Sequence, residues 1–587
     1  MNHPEDNIHP QAPRDPGTDV DYQALYRPYS QVVQLDPAVP VNLETFVEPE
    51  ENVPSSVLER QATHHSTENF AAVADSIQVP EPAQTEKTAQ QSQAQTFSHA
   101  HEYAQARANQ QLGAERRTLG QPVAPIVNVE NESGIYTREP VTFWGYVGVV
   151  ICFVTSYLFC LFGLSFLLTC AFFSSLKKKH KHKKKNKRLN IVPPHFPKLD
   201  KTNRKLKPDL AYYAEARGYK MEELEVTTSD GFIVKVQHLI NPNDTPAVRA
   251  SRYPVVMLHG LLQAAAAYAT SGEHSLAFFM LESGYDVWLA NNRNGFKPKH
   301  TNYKYLDLRM WSWRISEMGT RDLPAIINFI CEQTGSAKVA LVAHSQGTTQ
   351  TFLALSRGYM PELGDKISAF VALAPAVYGG KLLDRYFLRW VRHLSLKSYR
   401  LFFGHHGFFS IMMQMRRIIP YSFFGYCGKI MFSYLFEWND YLWDSRYNGR
   451  QFIFSPVYVS SELMYWWVGK GGFADRGCIF TSEDPTIPWY DEHLPPVCIV
   501  VPGLDDLVNP HKLVDRFHNV ECRLVQHDIE IVNVPEYSHV DVLWAIDTIE
   551  KVGMPMSSFI WRTRHKQEGR EWMTPSYANV HVPSETS

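Results

Sequence analysis

The chain has 587 residues, a net charge of −2 and eight cysteines. That length is more than one compact core needs and predicts several segments, and the near-neutral balance gives no reason to expect nucleic acid as a partner. No C-x-x-C spacing occurs, so neither a zinc site nor a redox motif is indicated.

Residues 1–140 are rich in Pro, Gln, Glu, Asn and Ala, as in Gln84-Thr-Glu-Lys-Thr-Ala-Gln-Gln-Ser-Gln. Such a composition buries too little apolar surface to offset the ordering entropy, so disorder is expected, with a short helix near 100–117. Met1-Asn-His-Pro-Glu-Asp is neither basic nor followed by an apolar run, so no signal peptide is expected.

Between Glu139 and Lys177 there is no charged residue. The run 141–176 is too long and too apolar for a buried core helix and is predicted to be a membrane segment. It exceeds the about 20 residues that cross a hydrocarbon core of about 30 Å. It must therefore tilt or bend back as a hairpin, with Gly163 and Ser165 placed to permit the bend. Three of the cysteines, Cys152, Cys160 and Cys170, lie inside it. The five left elsewhere are an odd number, which suits a reducing compartment.

Lys177-Lys-Lys-His-Lys-His-Lys-Lys-Lys-Asn-Lys-Arg188 follows at once and opens a basic flank and linker over 177–207. The positive-inside rule keeps this flank, and the globular part after it, on the cytosolic side. The same cluster attracts anionic headgroups at about 1 kcal/mol per basic residue. His180 and His182 read as members of the charge run rather than as metal ligands. Asn131 and Asn243 head N-x-Ser/Thr sequons, and the second would go unused in the cytosol.

From 208 short apolar strands alternate with amphipathic stretches, which predicts a mostly parallel sheet. Residues 224–228 and 232–239, joined through Ser229-Asp-Gly231, read as a hairpin, and 255–258 and 287–290 as buried strands. A helix is predicted over 320–333. Val339-Ala-Leu-Val-Ala-His-Ser345-Gln-Gly347 then runs from a strand into a helix-compatible stretch, which is the pattern of a nucleophile elbow. Small residues two positions either side of Ser345 let strand and helix pass closely enough to expose the hydroxyl. Ala343 takes the first of those positions, where glycine is usual. A strand over 370–373 follows.

Over 379–494 the alternation stops. Aromatic and long apolar side chains crowd stretches such as Leu401-Phe-Phe-Gly-His-His-Gly-Phe-Phe, with Arg385, Arg389, Arg392, Arg416 and Arg417 among them. This predicts a helical cap over the sheet with an apolar inner wall for a bulky ligand. His405-His406 reads as a turn. The sheet resumes over 495–565. Strand 497–501 ends in Pro502-Gly-Leu-Asp505-Asp506, strand 529–534 ends in Pro535-Glu-Tyr-Ser-His539-Val-Asp541, and a helix follows from 542. Residues 566–587 read as a flexible tail.

Ser345, Asp505 and His539 thus stand at strand ends in the chain order of α/β hydrolases. A serine hydroxyl is a poor nucleophile until an imidazole takes its proton. The imidazole must in turn be held in one tautomer by a buried carboxylate. Asp505 is preferred to Asp506 because it lies closer to the strand end. His344 is set aside as the base because the turn points its side chain away. The amides of Leu261 and Gln346 are the expected oxyanion donors. No metal or organic cofactor is expected.

The chain also resembles a known family. Glu223-Leu-Glu-Val-Thr-Thr-Ser-Asp-Gly231, Leu258-His-Gly-Leu-Leu262, Gly284-Tyr-Asp-Val-Trp-Leu289, Asp322-Leu-Pro-Ala325, His344-Ser-Gln-Gly-Thr348 and Ser538-His-Val-Asp541 are similar to blocks of the acid lipase family of α/β hydrolases. That family includes gastric and lysosomal acid lipases and membrane-anchored fungal steryl ester hydrolases. The resemblance covers about residues 208–560 and implies the same nucleophile, acid, base and oxyanion donors. The membrane segment, the basic flank and Ser461-Glu-Leu-Met-Tyr-Trp-Trp467 resemble the fungal branch. The resemblance implies a membrane-anchored hydrolase of neutral-lipid esters, most of all steryl esters, at a cytosol-facing endoplasmic reticulum, plasma-membrane or lipid-droplet surface. A triacylglycerol lipase is the alternative within the class. A silent lipid-binding or tethering protein is the alternative outside it, and that protein would be expected to lack a member of the triad.

Overall fold

The computed structural model describes residues 143–189, 205–438, 440–480, 486–521 and 528–577. The expectations for 1–140 lie outside these residues, as do those for 190–204 and 578–587.

Five strands are buried along their whole length: β3 (Pro254–Leu258), β4 (Asp286–Ala290), β6 (Val339–His344), β7 (Ile367–Leu373) and β8 (Val497–Pro502). Runs of β-branched and small apolar residues with no polar alternation suit strands covered on both faces. β1 (Lys220–Thr227) and β2 (Phe232–Ile240) form the hairpin, β5 (Lys299–His300) pairs with β2, and β9 (Ile529–Val534) closes the far edge. The order is β1-β2-β4-β3-β6-β7-β8-β9. Pairings from β4 onward are parallel, while β1, β2, β4 and β5 meet antiparallel.

One helix, α1, runs unbroken over Phe143–Leu189. Its apolar part, Val147–Lys177, is long and apolar enough to cross a membrane. Gly163 and Ser165 lie within it without a break, so neither of the two residues placed to permit a bend makes one.

Helix α2 (Leu323–Thr334) takes Pro324 in its first turn, where no N–H is needed, and stops at Gly335 in the left-handed conformation. The elbow helix α3 (Gln346–Ala354) is buried throughout. The cap includes α4 (Tyr386–His393), α5 (Leu396–Phe403), α6 (Ser410–Ile418), α7 (Tyr421–Leu435) and α8 (Ser461–Val468). Inside it Arg400 donates twice to Glu462, at 2.7 and 3.0 Å, which ties α5 to α8.

A buried charge cluster joins three parts of the core. The Arg293 side chain, with no solvent exposure, donates to Asp322 at 2.8 and 2.9 Å and to Asp230 at 2.9 and 3.1 Å. Its guanidinium also covers the Phe232 ring at 4.2 Å. The β1–β2 turn, the loop after β4 and the start of α2 are held at one point.

The start of the expected flexible tail is a correction. Residues 566–577 lie packed on the core, because Trp572 meets the Tyr253 ring edge-on and the Met573 N–H donates to the Ser251 carbonyl at 2.7 Å. Arg570 adds a bond to the Thr334 carbonyl at 2.9 Å. Single aromatics spaced through a polar stretch show no periodicity, so sequence pattern misses a segment that docks without becoming helix or strand.

Asp322→Ala leaves the Arg293 guanidinium buried with only Asp230 to compensate it. The expected cost is about 3–5 kcal/mol. Thermal unfolding of the detergent-solubilised protein, compared with an exposed control such as Glu332→Ala, checks this.

Candidate active site

β6 hands the chain to α3 through Ser345, whose φ is +51° and ψ −118°. For a residue with a Cβ this is strained backbone, worth on the order of 1–3 kcal/mol. Its surroundings hold it there. The Ser345 N–H donates to the Leu373 carbonyl on β7 at 3.1 Å, and its carbonyl accepts the Thr348 N–H at 2.8 Å. Gly347 passes over the end of β3, where a Cβ would lie 2.8 Å from the Leu258 oxygen and 2.9 Å from the His259 oxygen. Ala343, wholly buried, faces Gly347, a Cβ on which would lie 3.4 Å from the Ala343 Cβ.

The structure brings Ser345, His539 and Asp505 together. Asp505 presents only acceptors, so the His539 Nδ1–H donates to its Oδ2, at 2.7 Å. That leaves Nε2 to accept from the Ser345 hydroxyl at 2.8 Å. The other carboxylate oxygen of Asp505 accepts the Leu507 and Val508 N–H groups at 2.9 and 3.2 Å. The Asp505 side chain has no exposure and that of His539 4%. Asp506 is exposed, and its carbonyl serves the Leu382 N–H instead. The loops carrying acid and base touch through Gly503, where a Cβ would come 2.5 Å from the Pro535 oxygen.

On the opposite side a turn closes over Gly260–Gln263, with Leu261 at its second position and Leu262 at a φ of +60°. A Cβ on Gly260 would approach the Ser345 Cβ to 3.0 Å, so this turn runs beside the hydroxyl. Gln346 is the first residue of α3, where backbone N–H groups have no helical acceptor. The two expected oxyanion residues therefore flank Ser345. The cap supports both of them. Ser455 Oγ–H and the Val457 N–H donate to the Leu262 carbonyl at 3.0 and 3.2 Å. From α8, Trp467 Nε1–H donates to Gln346 Oε1 at 2.9 Å, in a fully buried contact.

His344 has a role that sequence reasoning missed. Its side chain turns away from the hydroxyl, and its Nε2–H donates to the His539 carbonyl at 3.1 Å, holding the loop that carries the base. Nδ1 lies 3.0 Å from Gln263 Oε1, which also accepts the Gly260 N–H at 3.1 Å. Burial pushes its basicity well below the usual range. Asp541 braces the same loop from below, accepting the Ser538 N–H, the Ser538 hydroxyl and Trp443 Nε1–H, each at 2.6 Å. Burial raises its carboxyl to about 6. The block Ser538-His-Val-Asp541 carried this signal, but only for its histidine. Trp467 and Trp443 had no signal by spacing.

Among the described residues, Glu273, His274 and Asp444 converge closely enough to hold a metal ion. Arg446 already pairs with both carboxylates, so a guanidinium supplies the positive charge there.

Sheet order, elbow and inserted cap together define an α/β hydrolase. Residues 210–272 match the family described as partial alpha/beta-hydrolase lipase region, and residues 253–414 the alpha/beta hydrolase fold. Sterol esterase 2 of Saccharomyces cerevisiae is 40% identical over 389 residues, 60% of this chain and 71% of that protein. Human lipase member M is 30% identical, over 56% of this chain and 80% of its own length. Human gastric triacylglycerol lipase is 29% identical, over 58% and 88%. The chain belongs to the acid lipase family of α/β hydrolases and is a carboxylic ester hydrolase.

Two substitutions test the geometry. Gly347→Ala puts a methyl against two backbone oxygens that cannot move without displacing β3, and it is expected to lower kcat at least 100-fold. Trp467→Phe removes one N–H and keeps most of the ring. It is expected to lower kcat about threefold to tenfold, the worth of one hydrogen bond, with KM unchanged. A purely structural role would instead lower the melting temperature and spare kcat.

Proposed function

We propose that this protein is a membrane-anchored serine hydrolase that cleaves steryl esters to sterol and fatty acid at a cytosol-facing lipid surface. The observation that carries the chemistry is the relay Asp505–His539–Ser345, with links of 2.7 and 2.8 Å between buried side chains. Ser345 Oγ attacks the ester carbonyl as its proton passes to His539 Nε2. The imidazolium is stabilised by Asp505 through Nδ1–H. The tetrahedral oxyanion accepts from the Leu261 and Gln346 amides. On collapse, the proton goes from Nε2 to the sterol oxygen, which leaves as the alcohol, and the acyl group stays on Ser345. A water then gives its proton to His539 and its oxygen to the acyl carbon, releasing the fatty acid and restoring the hydroxyl.

The steryl ester assignment is supported by a fungal relative named for that activity, matched over 71% of its length. The aromatic cap supports a bulky apolar ligand. The anchoring is supported by the apolar span Val147–Lys177 and the basic run after it, which favours the cytosolic side of the endoplasmic reticulum, plasma membrane or a lipid droplet.

The test uses the full chain, purified in detergent, with cholesteryl oleate and triolein compared in mixed micelles. The expected result is a kcat/KM at least tenfold higher for the steryl ester. A higher value for triolein replaces the sterol esterase by a triacylglycerol lipase. Ser345→Ala is expected to abolish labelling by a fluorophosphonate probe and to lower hydrolysis of either ester by roughly four orders of magnitude or more. Equal labelling of wild type and variant would overturn the serine mechanism.

A further inference from the structure

The apolar helix α1 is not a free rod. A stripe of it, Ser156, Cys160, Leu164 and Ala171, lies on one helical face and is turned toward protein. Ser156, Cys160 and Ala171 are 8%, 4% and 0% exposed. The contacts are specific. Thr155 Oγ1–H is shared between the Ile151 carbonyl of its own helix at 2.8 Å and the Leu401 carbonyl at 3.0 Å, and the Tyr157 hydroxyl donates to Gln414 Oε1 at 3.2 Å. Cys160 Sγ lies 3.8 Å from the Phe402 carbonyl. The Phe159 ring packs against Trp390, Phe402 and Phe403. A Cβ on Gly404 would come 2.8 Å from Ser156 Oγ, so α1 seats against bare cap backbone. Helix α7 lies along it as well.

The opposite face has no such cover, and Leu158, Phe162, Phe166 and Phe173 are exposed there. The cap helices that touch α1 also expose large apolar side chains. Trp390, Leu401, Ile418, Phe423 and Tyr426 are all exposed, on the four cap helices α4 to α7 that adjoin α1. Exposed Lys397 and Arg417 stand among them, and the basic run Lys177–Arg188 continues the helix.

Length decides how this surface meets lipid. From Ser156 to Ala171 the docked stretch is roughly 22 Å at 1.5 Å per residue. The hydrocarbon core of a bilayer is about 30 Å thick. Were α1 to stand across a bilayer in this arrangement, the cap would have to follow it through both leaflets. It would carry the exposed charges of Lys397 and Arg417 into hydrocarbon, where a charge facing lipid is costly. Laid side-on, a helix about 10–12 Å across fits within one leaflet, with its covered face toward protein and its open face toward acyl chains.

We infer that α1 and the exposed apolar side chains of the cap helices beside it enter a single phospholipid leaflet together, with α1 in the plane, and that the chain before α1 stays on the same side as the hydrolase core. The cap aromatics occupy the acyl region, and the basic residues sit at the anionic headgroups. This rests on the membrane anchoring proposed above, and it seats the cap, under which Ser345 lies, on the layer that dissolves a neutral lipid ester.

The test uses the full chain with an epitope tag at each end, in sealed microsomes, and a fluorescent amino acid at position 423 or, as control, at the exposed position 332. The expected result is retention in the membrane pellet after alkaline carbonate, with both tags lost to added protease in unopened vesicles. The probe at 423 should be quenched by bromine-labelled phospholipid at least threefold more than the probe at 332. Protection of the N-terminal tag, or glycosylation at Asn131, means that α1 crosses. Equal quenching at 423 and 332 means that the cap stays in water. Either result overturns the inference and leaves the anchoring reading standing. Release into the carbonate supernatant overturns the anchoring reading itself and this inference with it.

Discussion

The structure depends on one close approach, that of the elbow helix to the end of the central strand beside it. Gly347 crosses the Leu258 and His259 carbonyls at a distance that leaves no room for a methyl. That crossing holds Ser345 at a positive φ, with its hydroxyl in reach of His539, and brings Gly260 down beside the Ser345 Cβ. Acid and base arrive by the same device on the other side, where bare Gly503 lets the Pro535 backbone pass. Two glycines at two crossings bring β3, β6, β8 and β9 to one point. The strain at Ser345 is sustained by buried strands that pair on both of its flanks.

Built on that crossing, the site is not complete without the cap. The turn that carries Leu261 is held through the Leu262 carbonyl by Ser455 and Val457, and the Gln346 side chain is held by Trp467. Helix α8, which bears Trp467, is joined to α5 by Arg400 and Glu462, and α5 is the helix on which Thr155 and Cys160 of α1 rest. Packed and hydrogen-bonded contacts thus run without interruption from the apolar helix to the residue after the nucleophile. They are mostly buried, so each is stronger than an exposed equivalent and costly to leave half made. The cap accordingly serves as one wall of the site as well as its cover.

What was legible in the sequence is what local chemistry dictates. Unbroken β-branched runs marked β3, β6, β7 and β8, because strands covered on both faces need no polar alternation. Ser345, Asp505 and His539 stood out because strand ends are where this architecture displays side chains. What was not legible depends on partners far apart in the chain. His344 meets the residue 195 positions later, Trp467 the residue 121 positions earlier, and Arg293 reaches across 63 positions to Asp230. No period or spacing encodes such pairs, since each exists only once the backbone has brought its ends together. The docked segment 566–577 was missed for the same reason, as was the covered face of α1. Hydropathy reported that α1 is apolar but not that Ser156, Cys160 and Ala171 form a stripe with a protein partner.

Ala343 shows how a pattern and the physics behind it separate. The usual elbow has glycine on both sides of the nucleophile, and by that pattern Ala343 is a departure. The geometry makes the two positions unequal. On the helix side the obstacle is backbone, the carbonyl oxygens of β3, which cannot yield without moving the sheet. On the strand side, Ala343 pairs in register with Leu258, as its neighbours do, and its methyl points into space that the glycine at 347 leaves free. A Cβ on Gly347 would lie 3.4 Å from the Ala343 Cβ, tight but bearable, whereas its contact with the Leu258 oxygen at 2.8 Å is not. The constraint is therefore the passage of α3 over β3, and only the glycine at 347 answers to it. The alanine at 343 is permitted because the requirement at that end is merely that the residue be small.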